Sequence, residues 1–115
     1  MGESWITQWR KGLLDYCVLL TLSRGESYGY LIVQQLKQHD ALAVSESTVY
    51  PILARLCRER LLKVRDVPSP DGPPRRYFAL TALGKIRLAE MQAYWKLLGE
   101  TLEQLASSRK SNENP

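Results

Sequence analysis

Basic side chains are concentrated in one segment of this 115-residue chain. Between Arg55 and Arg76 lie seven basic and three acidic residues, an excess of four positive charges that equals the net charge of the whole chain. A positive field confined to one segment favours a polyanionic partner, because each neutralised phosphate releases condensed counterions and adds affinity. Charge alone leaves phosphate binding and a merely solvated basic surface equally open.

Hydroxyl groups cluster just before this segment, on Ser45, Ser47, Thr48 and Tyr50. At the start of a helix, hydroxyls and free backbone N–H groups can donate hydrogen bonds to phosphates and base edges. Simple helix capping is the alternative for Ser45, and solvation of an exposed face is the alternative for Arg58 and Arg60. Arg75 and Arg76 favour phosphate contact, because they adjoin a turn that has no packing use for two guanidinium groups.

The sequence offers little for catalysis or metal binding. His39 is the single histidine, and Cys17 and Cys57 lie far apart without a CxxC motif. No nucleophile and base are paired, and no glycine-rich phosphate loop occurs, so we expect no enzyme, metal or cofactor. Two reduced, packed thiols are expected, with a redox or metal sensor as the alternative. Neither a membrane span nor a signal peptide is indicated, which favours a cytoplasmic protein without a membrane partner.

Three helices are predicted before the basic segment ends. Apolar residues spaced by three and four predict a helix from Trp5 to Ser23, and Ser27 opens a second that ends around His39 to Ala41. Ser45 caps a third helix, from Glu46 to about Arg60, in which Pro51 should distort the start because it lacks an N–H. The side chains expected to face inward are Tyr30, Leu31, Val33, Leu36 and Leu42 in the second helix and Val49, Ile52, Leu53 and Leu56 in the third.

A hairpin and a long helix follow. Leu62, Val64 and Val67 alternate with polar residues as in a half-buried strand, and Arg75 to Leu80 predicts the return strand. The proline-rich tract 68–74 is the predicted turn, and Thr81 caps the last helix. The fold class is therefore mainly α with a small β-hairpin wing. We expect a winged helix-turn-helix domain over residues 1–80, a dimerisation helix over 81–108 and a flexible tail over 109–115.

This order of elements is typical of proteins that place the third helix in the major groove of DNA and the hairpin along the neighbouring backbone. The predicted contacts to double-stranded DNA are Ser45, Ser47, Thr48, Tyr50, Arg55, Lys63, Arg75 and Arg76. A winged-helix module for protein or RNA contact, in which the basic wing is incidental, is the alternative.

Three motifs in sequence order resemble the PadR family of regulators. They are Tyr28-Gly29-Tyr30, the run from Ser47 to Leu53 with Arg55-Leu56, and the run from Gly72 to Phe78 leading to Leu80-Thr81 and Gly84. The resemblance implies a transcriptional regulator, commonly a repressor, dimerised through its C-terminal helix, and it adds Tyr28 to the predicted DNA contacts. It also implies that a proline is tolerated at the position of Pro51 in the third helix.

Two positions depart from that pattern. The family typically has an acidic residue at the position of Cys57 and a glycine at that of Arg60. Glycine there would supply a left-handed helix end, so Arg60 must adopt a less favourable conformation or the helix must close differently.

The last helix carries an apolar side longer than a small domain can cover, which predicts a homodimer on an inverted-repeat operator. Tryptophans near both ends of the chain have two interpretations, interface packing or a pocket for a planar aromatic effector. Some multidrug-binding relatives have a tryptophan at the position that Trp95 matches. The residues assigned to this interface or pocket are Trp5, Trp9, Leu13, Met91, Tyr94, Trp95, Leu98, Leu102 and Leu105.

Overall fold

The computed structural model describes the backbone of residues 5–112 and the side chains of residues 5–107. The helices are α1 (Trp5–Arg10), α2 (Leu13–Thr21), α3 (Gly29–Lys37), α4 (Glu46–Arg58) and α5 (Ala82–Asn112). The strands are β1 (Ser27–Tyr28), β2 (Leu62–Ser69) and β3 (Gly72–Leu80), and a short 3-10 helix covers Asp40–Leu42. This arrangement confirms the predicted class, mainly helical with a small antiparallel wing and a long C-terminal helix.

One apolar core joins α2, α3, α4, the base of the sheet and the start of α5. In α4 the side chains of Val49, Leu53 and Leu56 are each 1% exposed. Their spacing places them on one helical face, as predicted, and burying each stabilises the fold by roughly 1.5–3 kcal/mol. From α5, Leu88 joins the core and Met91 packs against it. The core thus fixes α4 against the sheet and leaves the far side of α4 exposed.

The prediction of one helix from Trp5 to Ser23 was wrong, because the helix breaks at Lys11 and Gly12. Glycine inside a helix costs about 1 kcal/mol relative to alanine. No residue of α1 is buried, so packing within the chain does not offset that cost. The break produces two short helices, α1 and α2.

The sheet has three strands in the order β1-β3-β2, not the predicted two. Ser27 pairs with Phe78 and Tyr28 with Tyr77, so Ser27 forms strand and the helix begins only at Gly29. The helix ends at Lys37, short of the predicted end. Tyr30 and Leu31, predicted to face inward, are exposed, Tyr30 by 55%.

The hairpin is longer and its turn tighter than predicted, because strand pairing continues through most of the proline-rich tract. Only Pro70 and Asp71 separate the strands. The register shifts between Val67 and Ser69, and such an irregularity accommodates prolines that cannot donate to the ladder. Val64 is 41% exposed, against its predicted inward role, although its strand partner Phe78 is buried.

The end of α4 is closed by the less favourable conformation expected for Arg60, whose φ is +64°. The Arg60 N–H donates to the Cys57 carbonyl at 3.0 Å, and the Leu61 N–H donates to the Leu56 carbonyl at 3.0 Å. These two bonds form a Schellman motif, which normally has glycine at the Arg60 position.

Thr81 caps α5 as predicted. Its hydroxyl accepts a hydrogen bond from the Gly84 N–H at 2.9 Å and donates to the Arg60 carbonyl at 2.7 Å. The helix then runs to Asn112, beyond the predicted boundary at Ser108. Residues 113–115 of the predicted tail lie outside the described residues. Past Met91, α5 projects from the core with large apolar side chains exposed.

Candidate nucleic-acid interface

The N-terminal end of α4 presents hydroxyl groups to solvent. Ser45 occupies the N-cap position but makes no side-chain capping bond, so the expectation of a side-chain cap was wrong. Its Oγ lies 2.8 Å from Ser47 Oγ and 3.3 Å from Thr48 Oγ1. Because the Ser45 side chain does not cap the helix, the first backbone N–H groups of α4 stay available to an anion. Helix α4 continues through Pro51, which has no N–H to offer the Ser47 carbonyl.

Tyr50 lies beside these hydroxyls and packs against the start of α3. A Cβ atom at Gly29 would lie 2.7 Å from Tyr50 Cε1, so only glycine lets α3 approach α4 this closely. Partial burial, followed by the charges of Glu46 and Tyr30, raises the pKa of the Tyr50 hydroxyl. The phenol is therefore a protonated hydrogen-bond donor at neutral pH.

Two neighbouring tyrosine rings make cation–π contacts with arginines of the wing. The Arg75 guanidinium lies 4.7 Å from the centre of the Tyr28 ring, and that ring lies 5.5 Å from the ring of Tyr77. Arg65 lies over the other ring, 5.7 Å from the centre of Tyr77, and bonds Glu26 with two of its nitrogens. Cation–π contact orients Arg75 without neutralising it, so Tyr28 acts on the wing from a distant part of the sequence.

A groove of about 520 Å³ separates α4 from the wing. Tyr28, Tyr50, Arg75 and Arg76 line it, and these are four of the predicted contact residues. Arg76 keeps most of its charge available, since its carboxylate neighbour Asp66 is 3.6 Å away and both side chains are mostly exposed. Tyr50 of α4 and the two arginines of the wing thus line one exposed surface.

Sequence reasoning missed six other residues that line this groove, namely Gly29, Tyr30, Ala54, Cys57, Val64 and Phe78. Burial raises the pKa of the Cys57 thiol, and the nearby Arg76 charge opposes that shift. The thiol is therefore protonated at neutral pH. Tyr30 and Val64 are apolar in the sequence, and we interpreted both as core residues.

Two predicted contact residues stand elsewhere. Arg55 donates to Asp15 of α2 at 2.6 Å and to Glu59 at 3.2 Å, so its guanidinium ties α4 to α2. The hydrogen bond from Arg55 to Asp15 is the main cause that raises the pKa of Arg55. Lys63 lies at the base of the hairpin opposite Ala79, away from the turn, and lines a different cleft.

The predicted interface residues divide into two groups. A cavity of about 650 Å³ between α1, α2 and α5 is lined by Trp9, Leu13, Trp95, Leu98 and Leu102. Ile6 and Arg10 also line this cavity and were not predicted. The other four residues do not line it: the Trp5 ring lies 5.7 Å from that of Trp9 and is tilted against it, Met91 packs against the core, and Tyr94 and Leu105 are exposed.

Within the described residues, no three histidine, cysteine or acidic side chains are grouped to hold a metal ion. No helix described here is both long and apolar enough to cross a membrane.

Comparison with known proteins gives a consistent result. Residues 18–90 match the model of the "Transcriptional regulator PadR-like family". A PadR-like transcription factor from Bacteroides fragilis is 43% identical, with a TM-score of 0.76, over 86% of this chain and 95% of its own. A PadR-like transcriptional regulator from Bacillus cereus is 34% identical, with a TM-score of 0.75, over 86% and 96%.

A further structure shows a similar protein with DNA. Bacillus subtilis PadR in complex with operator DNA is 28% identical, with a TM-score of 0.63, over 70% of this chain and 46% of that one. The residues that match the family model, 18–90, include all of the predicted DNA contacts.

Proposed function

Because the chain belongs to the PadR-like family of transcriptional regulators, we propose that it binds operator DNA sequence-specifically as a homodimer and acts as a repressor. As a member of that family the chain is a regulator and not an enzyme. The observation that carries the proposal is the groove that Tyr50 of α4 shares with the wing arginines Arg75 and Arg76.

In this proposal the two sides of the groove do different work. The start of α4 enters the major groove, where Ser47, Thr48 and Tyr50 reach base edges or phosphates. Arg75 and Arg76 bind the neighbouring backbone, since guanidinium groups match phosphate oxygens in pairs. Arg55 serves a positioning role, because its bonds to Asp15 and Glu59 hold α4 on α2.

The exposed apolar side of α1 and α5 supports the homodimer. Trp5, Trp9, Tyr94, Leu102 and Leu105 are each at least half exposed in the single chain. Such a patch on a soluble domain is typical of a protein interface. Two-fold symmetry would then set two α4 helices about one DNA turn apart and require an inverted-repeat operator, as repressors that cover a promoter commonly use.

A planar aromatic effector is a second component of the proposal. The cavity beside Trp9 and Trp95 is apolar and lies where α1, α2 and α5 meet. A ligand there would release DNA only if it bound the DNA-free arrangement of the two chains more tightly than the DNA-bound one. Quenching of tryptophan fluorescence by flat aromatic compounds, absent in Trp95→Leu, would support such a site.

Removing the wing charges tests the role of the wing. The double variant Arg75→Ala/Arg76→Ala should fold normally and bind every duplex more weakly, with a salt slope reduced by about 4, since each dimer loses two arginines from each of its two wings. The matched control is Lys37→Ala/Arg87→Ala, which removes the same charge from α3 and α5 and should leave binding within about twofold. Equal weakening by both double variants would mean that only net charge matters. Unchanged binding by the wing variant would remove the wing from the mechanism.

A further inference from the structure

Three basic side chains from three elements line a cleft at the base of the hairpin. Arg24 comes from the loop after α2, Lys63 from β2 and Lys85 from the start of α5. The cleft has a volume of about 500 Å³, and Leu22, Leu80 and Leu88 form an apolar part of its wall. This is the size range of sites for small organic ligands.

None of these three cations forms an ion pair within the described side chains, residues 5–107. Ion pairs there join acids to Arg55, Arg65, Arg76 and Arg87, and none involves the three cations of the cleft. The carboxylate that lines the cleft, Glu26, is already bound by two nitrogens of Arg65. The Lys63 charge also helps to lower the pKa of Glu26, so the cleft holds three cations and one carboxylate that Arg65 already binds. The net charge of the three cations is therefore positive, and an anion bound between them is stabilised.

The start of α5 adds to this positive field. No acidic residue lies in its first turn, and Lys85 follows immediately. A cation near the positive end of a helix is placed unfavourably.

We propose that this cleft binds a small phosphate-bearing ligand with at least two negative charges. Planar guanidinium and ammonium donors from three directions suit tetrahedral phosphate oxygens, and the leucine wall suits an attached organic group. The operator backbone is the other source of phosphate. We favour the small molecule because Lys63 lies seven residues before the hairpin turn, roughly 20 Å at strand spacing.

Titration calorimetry with pyrophosphate, and separately with ATP, tests this site in about 150 mM salt, where long-range charge effects are screened. The probe variant is Lys85→Glu, which removes a cation while placing an acid where the helix end favours it, so folding is preserved. The matched control is Lys37→Glu, the same change on the exposed end of α3. We expect saturable binding of one ligand per chain, weakened at least about tenfold by Lys85→Glu and less than about twofold by Lys37→Glu.

Three results would overturn the proposal. The first is the absence of saturable binding for both probes. The second is equal weakening of ligand binding by the two variants, which would indicate a general charge effect. The third is a loss of duplex-DNA affinity in Lys85→Glu without any pyrophosphate or ATP binding, which would assign the cleft to the DNA backbone. Since the small-molecule probes are measured without DNA, failure of this site and failure of the proposed operator binding are distinguishable.

Discussion

Replacing Arg60 with glycine should stabilise the protein. Arg60 adopts φ +64° at the Schellman end of α4, a conformation that costs a residue with a Cβ about 1–2 kcal/mol. Glycine removes that cost but loses about 0.5–1 kcal/mol through its greater freedom in the unfolded chain. The expected net gain is about 0.5–1 kcal/mol in the free energy of unfolding, and it depends on the backbone alone.

Urea unfolding followed by circular dichroism, at one fixed protein concentration, measures this gain. Arg60→Ala is the matched control, because it removes the guanidinium and keeps the Cβ atom. It should stay within about 0.5 kcal/mol of the unmodified protein, since Arg60 is exposed. If Arg60→Gly were no more stable than Arg60→Ala, the left-handed conformation would not be strained and the argument would be wrong.

Three further substitutions probe packing, ion pairing and assembly. Gly84→Ala should destabilise the fold by about 3 kcal/mol or more in thermal unfolding, because its Cβ would lie 2.0 Å from the Leu61 carbonyl oxygen, whereas Gly12→Ala meets no atom within 4 Å and should be tolerated. Asp15→Asn should lower the free energy of unfolding by about 0.5–1 kcal/mol, because it weakens the ion pair that joins Arg55 to α2, whereas Glu59→Gln should lower it by about 0.3 kcal/mol. Equal losses would contradict a larger contribution from the link to α2. Leu102→Glu should yield monomers in sedimentation velocity while Gln104→Glu, on the opposite side of α5, should not; a dimeric Leu102→Glu protein would place the interface elsewhere.

Sequence spacing predicted the parts of the fold that local patterns determine. The inward face of α4 was identified because Val49, Leu53 and Leu56 recur at helical spacing and all three reach the core. The cap of α5 at Thr81 and the strain at Arg60 also follow from single positions with known conformational preferences. These features need no knowledge of distant residues.

Features set by distant contacts were missed. Strand β1 has only two residues and exists because Ser27 and Tyr28 pair with β3 about fifty residues later. The hydrogen bond that ties Arg55 to Asp15 was not predicted, because the two residues lie 40 positions apart. Tyr30 and Val64 are exposed because they line the open groove between α4 and the wing, which periodicity does not reveal.

Binding of the unmodified protein to duplex DNA from its own promoter region, with a scrambled duplex as competitor, tests the central claim most directly. Fluorescence anisotropy over a salt series would report both affinity and the number of phosphate contacts. We predict that the protein binds the promoter duplex tightly, that this binding weakens steeply with salt, and that the scrambled duplex does not displace it. Binding that the scrambled duplex displaces equally well would contradict sequence-specific recognition of that region and favour a winged-helix module with another partner.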